Sequence, residues 1–374
     1  MKSKATIQRL LLSNLSSIAG RVPLHWLKAI DQLTRCRTSV LGGHAQYCEN
    51  GHLTGVWYNS CRHRFCPQCR ALPTERWLKS TEAILLDSAH HHVIFTMPSE
   101  LHALWRYNKA LLNDLLFKAA QETLKTFARD ARYLNAMPGI LCVLHTWGRS
   151  LSIHPHIHAV ISHGGLNQQG EWIIPKKDSL FPQKPVMMVF RGKLLALMKT
   201  ALEKGELKFP AQTQKRDVSN LLNKLGRRAW VVHFCRRYEH ARGVVKYLSR
   251  YVKSGPFKNT QLVSADRGQV CFRYFDHQSK QTKWLKLGEQ KFIRRLLEHV
   301  PEPGKPMVRY SGLYNSAARS KLNLAREALG QKELEASEVL DWQEYLADKG
   351  IELRCDCGAR IGKRVLVQAQ KMKT

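Results

Sequence analysis

Nine residues constrain this chain more than any other stretch: Ile153-His154-Pro155-His156-Ile157-His158-Ala159-Val160-Ile161. Apolar residues bracket the histidines and β-branched Ile and Val recur, so the segment reads as a strand. Side chains alternate faces along a strand, which puts His156 and His158 on one side, roughly 7 Å apart along the chain. Two imidazoles fixed that way can hold one divalent ion. Pro155 cannot donate to a ladder and belongs at a strand's first residue or on a sheet edge. The strand is therefore expected to begin at Pro155, with His154 just outside it and Gly164-Gly165 ending it in a turn. A His-x-His pair alone also suits a solvated edge strand, so the rest of the chain must decide.

The charge is the second constraint. Sixty Lys and Arg stand against twenty-nine Asp and Glu, a formal net charge of +31 over 374 residues. Such an imbalance implies a polyanionic partner, of which a nucleic acid backbone is the commonest. The length allows two or three domains with a substantial core. The first residues are basic but carry only a three-leucine run, too short for a signal peptide, and no stretch approaches a membrane span. A cytoplasmic protein with no membrane partner is expected. There is no Gly-x-x-x-x-Gly-Lys-Ser/Thr loop, so no nucleotide-driven motor is indicated.

Five of the ten cysteines lie between Cys36 and Cys69, in a module that also holds His44, His52 and His63. Without a signal peptide, metal is the better reading than disulfides. Cys66-Pro67-Gln68-Cys69 has the form of a zinc knuckle, two thiolates on one tight turn. Cys48 and Cys61 are the expected partners in a structural Zn²⁺ site, with His52 as the alternate ligand. Cys355 and Cys357, separated by one residue, make a poor half-site, so the tail reads as an appendage of unknown role.

Apolar spacing predicts two helices before residue 35, helices near 72–92, 101–124, 186–204 and 213–228, and strands at 92–98, 140–147 and 229–234. Residues 261–287 read as a β-meander turning at Arg267-Gly268 and at 277–281, and the region beyond about 320 as helical. Arg242–Lys253 reads as a helix ended by Ser254-Gly255-Pro256. On it Tyr247 and Tyr251 are four residues apart and share a face, among Arg242, Lys246, Arg250 and Lys253. Two phenolic nucleophiles amid charge that attracts phosphate are thereby presented on one surface. Trp147 and Arg149 are candidates for holding bases.

Several stretches together resemble the rolling-circle insertion-sequence transposases of the two-tyrosine HUH type. They are Ser39-Val40-Leu41-Gly42-Gly43-His44, Tyr58-Asn59-Ser60-Cys61-Arg62-His63-Arg64-Phe65-Cys66-Pro67-Gln68-Cys69, Val93-Ile94-Phe95-Thr96-Met97-Pro98, His154-Pro155-His156-Ile157-His158 and Tyr247-Leu248-Ser249-Arg250-Tyr251. They span roughly residues 30–315 in the family's order. Two positions depart from it: Cys48 is followed by Asn50-Gly51-His52 rather than a second cysteine, and Phe65 stands where a histidine is common.

The resemblance implies an α+β architecture. Residues 1–34 would be N-terminal helices, 35–78 a zinc-binding domain, 79–315 an HUH nuclease core of antiparallel sheet flanked by helices, and 316–374 a helical appendage. It implies Mg²⁺ or Mn²⁺ on His156 and His158, although imidazoles alone suit zinc equally. His240 and Glu239 are candidates for a third ligand. It implies a transposase that cuts and joins single-stranded DNA at transposon ends through a 5′-phosphotyrosine on Tyr247 or Tyr251, in a bacterial, nucleoid-associated setting. Arg242, Lys246, Arg250 and Lys253 would bind the DNA. The alternatives are a plasmid replication initiator or relaxase with the same core, and a non-catalytic zinc-dependent DNA-binding protein.

Overall fold

Apolar residues at helical spacing form α1 (Ile7–Ser13) and α2 (Leu24–Arg35). Between them Gly20 adopts φ +77°, and Pro23, whose fixed φ suits the start of a helix, precedes the second. The computed structural model describes residues 5–18, 20, 22–252, 255–276, 279–335 and 339–370, apart from the side chains of Arg250 and Tyr251. A hairpin of β1 (Gly43–Cys48) and β2 (Leu53–Tyr58) follows, then the knuckle and α3 (Ala71–Ile84). Next come β3 (His90–Thr96), α4 (Lys109–Arg129), β4 (Gly139–Trp147) and β5 (Ile153–Ser162). After them lie α5 (Gln183–Glu203), α6 (Lys215–Gly226), β6 (Val232–Phe234) and α7 (Arg242–Val252), the helix with the two tyrosine positions.

The meander is present as β7 (Leu262–Asp266), β8 (Gln269–Asp276) and β9 (Gln281–Gly288), and α8 (Glu289–Leu297) follows it. Its first turn is at Arg267-Gly268; the start of the second, at His277, lies outside the described residues. The chain ends with β10 (Val308–Gly312), α9 (Arg319–Ala328), α10 (Trp342–Asp348) and β11 (Ile361–Val367). The tail is thus not helical throughout: its last strand joins the N-terminal hairpin in the order β11-β1-β2.

The main sheet has five strands in the order β10-β4-β5-β3-β6, every neighbouring pair antiparallel. The histidine strand β5 is therefore central. Its odd positions Ile157, Ala159 and Ile161 join Ile140, Cys142 and Leu144 of β4 and Val93 and Phe95 of β3 on an apolar face. Helices α4, α5 and α6 cover that face with Leu112, Leu116, Phe117, Phe190, Met198 and Leu222. At roughly 1.5–3 kcal/mol for each large side chain taken from water, this layer anchors the sheet. The other face is divided. At one end Leu141, Val143 and Val160 pack under Trp77 and Leu78 of α3 and Val244, Val245 and Leu248 of α7. At the other end the same face carries His145, His156 and His158.

Pro155 does not open the strand, contrary to the sequence expectation. The β4–β5 register passes from Trp147↔Ile153 to His145↔His156, so His154 and Pro155 together oppose the single residue Thr146. This is a β-bulge, the one place inside a sheet where a missing N–H does no harm. The carbonyl of Pro155 still accepts from the Met97 N–H at 3.0 Å. The strand accordingly begins at Ile153 and includes His154.

The meander has two unlike faces. Val270, Phe272, Leu285 and Leu287 pack with Phe257, Phe292 and the N-terminal Ile7, Leu11 and Ile30 in a second core. Arg273 faces Trp284 across the strands, and Phe275 faces Thr282, on the open side. Leu116 is fully buried in the main core. Leu116→Ala is expected to lower unfolding free energy by about 2–5 kcal/mol in urea titration, through the cavity it leaves beneath the histidine strand.

Candidate active site

The register of β4 and β5 brings His145 directly opposite His156. His156 Nδ1 lies 2.6 Å from the carbonyl oxygen of His154, an acceptor only, so that nitrogen carries the proton and donates. Nε2 of His156 therefore presents its lone pair, 3.1 Å from His145 Nδ1 and 3.1 Å from His158 Nε2. His158 is held from behind, its Nδ1 2.8 Å from His92 Nε2. One ligand nitrogen from each of His145, His156 and His158 meets the other two within 4.8 Å.

Neighbouring nitrogens on one first-row ion, at bonds of about 2.1 Å, stand roughly 3.0–3.4 Å apart. The two 3.1 Å separations about His156 fit that requirement, and the backbone carbonyl and His92 behind the rings are the supports such ligands use. Burial, reinforced by neighbouring imidazoles, holds His145 and His158 well below the ordinary 6.5. Burial brings His156 and His92 to about 4. All four rings are thus neutral at pH 7 and able to donate lone pairs.

The histidines open into a cleft of about 570 Å³. Tyr247 of α7 reaches the same cleft, 39% exposed, its ring edge-on to His158 at a centroid distance of 6.4 Å. Tyr251 follows on the same helix, one turn further, but its side chain lies outside the described residues. Four cations line the cleft, Arg70, Arg149, Lys258 and Arg273, with no carboxylate among the described lining residues. Arg70 follows directly on Cys69, so the knuckle delivers it. Trp147 lies edge-on to His145 at 4.0 Å and is 8% exposed, so it serves as wall rather than as a free stacking surface.

Several expected site residues stand elsewhere. His240 pairs with Asp87 at 3.1 Å and Glu239 with Arg237 at 2.9 Å, both at the surface, and the third member of the histidine group is His145. The signal for it was present: a loop as short as Gly148–Ser152 ties β4 to β5 in a register that pairs their histidines. Arg242 is turned toward α3, where Glu82 holds it at 3.4 Å, and does not line the cleft. Lys246 is exposed on α7 but does not line the cleft either. The side chain of Arg250, and all of Lys253, lie outside the described residues.

The expected zinc set also changes by one member. Cys61, Cys66 and Cys69 are joined by Cys36, not Cys48. Cys61 and Cys69 sulfurs are 3.7 Å apart, and the backbone N–H groups of Cys61 and Gln68 donate to the sulfurs of Cys36 and Cys66. Hydrogen bonds from Cys36, Cys61 and Cys66 pull the Cys69 thiol far below its usual range, toward the thiolate that zinc takes. Cys48 misses this site because the hairpin carries it away. Gly43 pairs with Tyr58 at the end near Cys61, whereas Cys48 ends the strand five residues later, roughly 17 Å distant. It lies instead beside His52 and the tail cysteines.

Comparison with known proteins gives two family matches. Residues 139–321 match a family described as "Putative transposase", and residues 8–97 match a transposase zinc-binding domain. The chain is 36% identical over 317 residues to "Putative transposase y4qJ" of Sinorhizobium fredii, covering 83% of this chain and 80% of that one. It is 31% identical over 313 residues to the transposase for insertion sequence element IS801 of Pseudomonas savastanoi pv. phaseolicola, covering 81% and 74%. Both matched regions contain the features described above, the four-cysteine cluster in one and the histidine group with Tyr247 in the other. Among the described residues no helix is long and apolar enough to cross a membrane.

Buried neutral imidazoles set a pH dependence. His90 and His299 are fully enclosed, and burial holds them to about 4 and about 3. Unfolded, each binds a proton near 6.5, so below that pH the unfolded chain takes up more protons and stability falls as pH falls. The stability is fully present above about 6.5 and is lost progressively down to the folded-state values. Urea midpoints should drop between pH 7 and pH 5, with roughly 2 kcal/mol from His90 alone at pH 5.

Proposed function

Because the chain belongs to the insertion-sequence transposases that carry an N-terminal zinc-binding domain, we propose that it cuts and rejoins single-stranded DNA at the ends of its element, with Tyr247 as nucleophile. The observation that carries this reading is the meeting of Tyr247 with the His145–His156–His158 group in one cleft lined by cations.

In the proposed step the Tyr247 phenolic oxygen forms a bond to the scissile phosphorus and the bond to the 3′-oxygen breaks. The phenolic proton passes to solvent and the departing 3′-oxygen takes one up from it, so the DNA keeps a 5′-phosphotyrosine on the protein and a 3′-hydroxyl is released. Attack of a 3′-hydroxyl on that linkage reverses the step and joins a new strand. Tyr251, one turn along α7, is the proposed second nucleophile, so that one strand end can be held while the other is exchanged. The chemistry supplied by a divalent ion on His145, His156 and His158 is polarisation of the phosphate. Family resemblance favours Mg²⁺ or Mn²⁺ there, whereas the donor type suits zinc as well.

The protein's own groups do the positioning. Arg70, Arg149, Lys258 and Arg273 draw in and orient phosphates, and water is excluded on the sheet side by Trp147 and the buried histidines. The open face of the meander continues from this cleft: Arg273 and Phe275 line it, and Trp284, 64% exposed, stands opposite Arg273. Aromatic rings interleaved with cations suit unpaired bases, which offer a π-face that duplex DNA hides.

Two measurements test the reading. With a labelled single-stranded oligonucleotide carrying the element's end, Tyr247→Phe and Tyr251→Phe should each impair strand transfer, and the double variant should form no covalent adduct on a denaturing gel. An adduct that survives in the double variant would reject the nucleophile assignment. Trp284→Ala should weaken single-strand binding about 5- to 100-fold with an unchanged salt slope, while Arg273→Ala should reduce that slope by about one.

A further inference from the structure

The tip of the β1–β2 hairpin holds a cluster that the zinc-binding match, confined to residues 8–97, contains only in part. Cys48 closes β1 and His52 precedes β2, their backbones linked by Cys48 N–H donating to the His52 carbonyl at 3.0 Å. Cys355 and Cys357 arrive from the tail, about three hundred residues later. The ligand atoms of these four residues lie within 4.8 Å of one another. Cys48 and Cys357 sulfurs are 3.8 Å apart. That is far beyond the roughly 2.05 Å of a disulfide. It matches the roughly 3.8 Å edge of a tetrahedron built on bonds of about 2.3 Å to zinc.

We propose that Cys48, His52, Cys355 and Cys357 bind a second zinc ion that clasps the C-terminal segment to the N-terminal module. Three thiolates and an imidazole form a soft, closed, four-ligand set, which selects zinc over magnesium or calcium. The tail is shaped to present its two sulfurs. Cys355 N–H donates to the Ala359 carbonyl at 2.9 Å and Gly358 N–H to the Cys355 carbonyl at 2.8 Å, a turn that Gly358 permits at φ +85°. The Asn50 amide donates to the Cys357 sulfur at 3.6 Å, an outer contact of the kind that steadies a thiolate ligand.

The need for a clasp follows from what β11 lacks. It pairs along all of β1, from Gly43↔Val367 to Cys48↔Ile361, yet every residue from 362 to 366 is exposed, Leu366 to 79%. A strand held by backbone hydrogen bonds, with no apolar face to bury, is marginal without a staple. The cluster stands directly beyond the Cys48↔Ile361 pair, where it fixes both the register and the end of the chain.

The test uses the full-length protein in a His156→Ala/His158→Ala background, so that the histidine group does not contribute metal. Zinc measured by mass spectrometry should be two per chain, and one in the further Cys355→Ser/Cys357→Ser variant. Hydrogen exchange at 361–367 should lose protection in that variant while 139–147 keeps it. One zinc in the parent, or two in the serine variant, overturns the proposal. Should the serine variant not fold, Cys357→His keeps four ligands: with cobalt in place of zinc it should still bind two ions and lose the charge-transfer intensity of one thiolate. An unchanged cobalt spectrum also overturns the proposal. None of these readouts involves DNA cleavage, so the clasp stands or falls apart from the nucleophile assignment.

Discussion

Nitrogens of His145 and His158 can each stand 3.1 Å from His156 Nε2 only where the rings are neutral, dry and unable to swing away. Two features of the fold meet these conditions, the burial of the central strand and the contacts behind the rings. Dryness comes from a central strand, covered on its far side by α4, α5 and α6. Neutrality follows from that burial, which depresses the histidines below physiological pH. Ring orientation comes from contacts behind the donors, the His154 carbonyl on His156 and the His92 ring on His158. The bulge at His154-Pro155 makes the first of these possible, since it places the His154 carbonyl over the ring two residues later. An acceptor there fixes the tautomer of His156 and with it the direction of the lone pair.

The cleft beyond those rings is assembled from pieces that share no sequence neighbourhood. The knuckle contributes Arg70, the β4–β5 turn Arg149, the segment after α7 Lys258, and the meander Arg273. Contact between the knuckle and the segment after α7 is close: a Cβ on Gly255 would fall 2.6 Å from the carbonyl oxygen of Phe65. Phe65, a departure from the family pattern, is buried in the core shared by N-terminal helices and meander. The four-cysteine cluster thus acts as a bracket for the cleft wall and for the chain leaving the tyrosine helix. Grouped within one cleft, the four cations superpose their fields at distances where salt screens little, which the +31 total charge alone does not ensure.

What sequence made legible was whatever has a local cause. Period-2 and period-3.6 patterns located the histidine strand, the meander and the tyrosine helix, and the Cys-Pro-x-Cys turn located the knuckle. What it hid was pairing between distant segments. Val308–Gly312 gives a weak strand signal and becomes an edge of the main sheet because β4 offers it a partner. Cys36 rather than Cys48 completes the knuckle because a hairpin separates two cysteines that look equivalent in the sequence. Arg242 lies on the tyrosine helix but points to Glu82 of a packed helix rather than into the cleft. Pro155 was read by the rule for strand starts when the rule for bulges applied, a distinction visible only once the opposite strand is aligned.

The N-terminal module illustrates how a small sheet can be stable with little core. β1, β2 and β11 bury few large apolar side chains, so hydrophobic transfer cannot hold three strands against their conformational entropy. Metal-ligand clusters stand at both ends of the hairpin instead. One faces the cleft and fixes Arg70. The other faces the tail, whose helix α10 meets α3 through Lys79–Asp348 at 2.7 Å and Lys349–Glu75 at 3.2 Å. Arg364 of β11 stacks on Trp342 at the start of that helix, 3.5 Å from its ring. Since α3 packs directly on α7, a tail fixed to the hairpin also braces the helix that carries Tyr247.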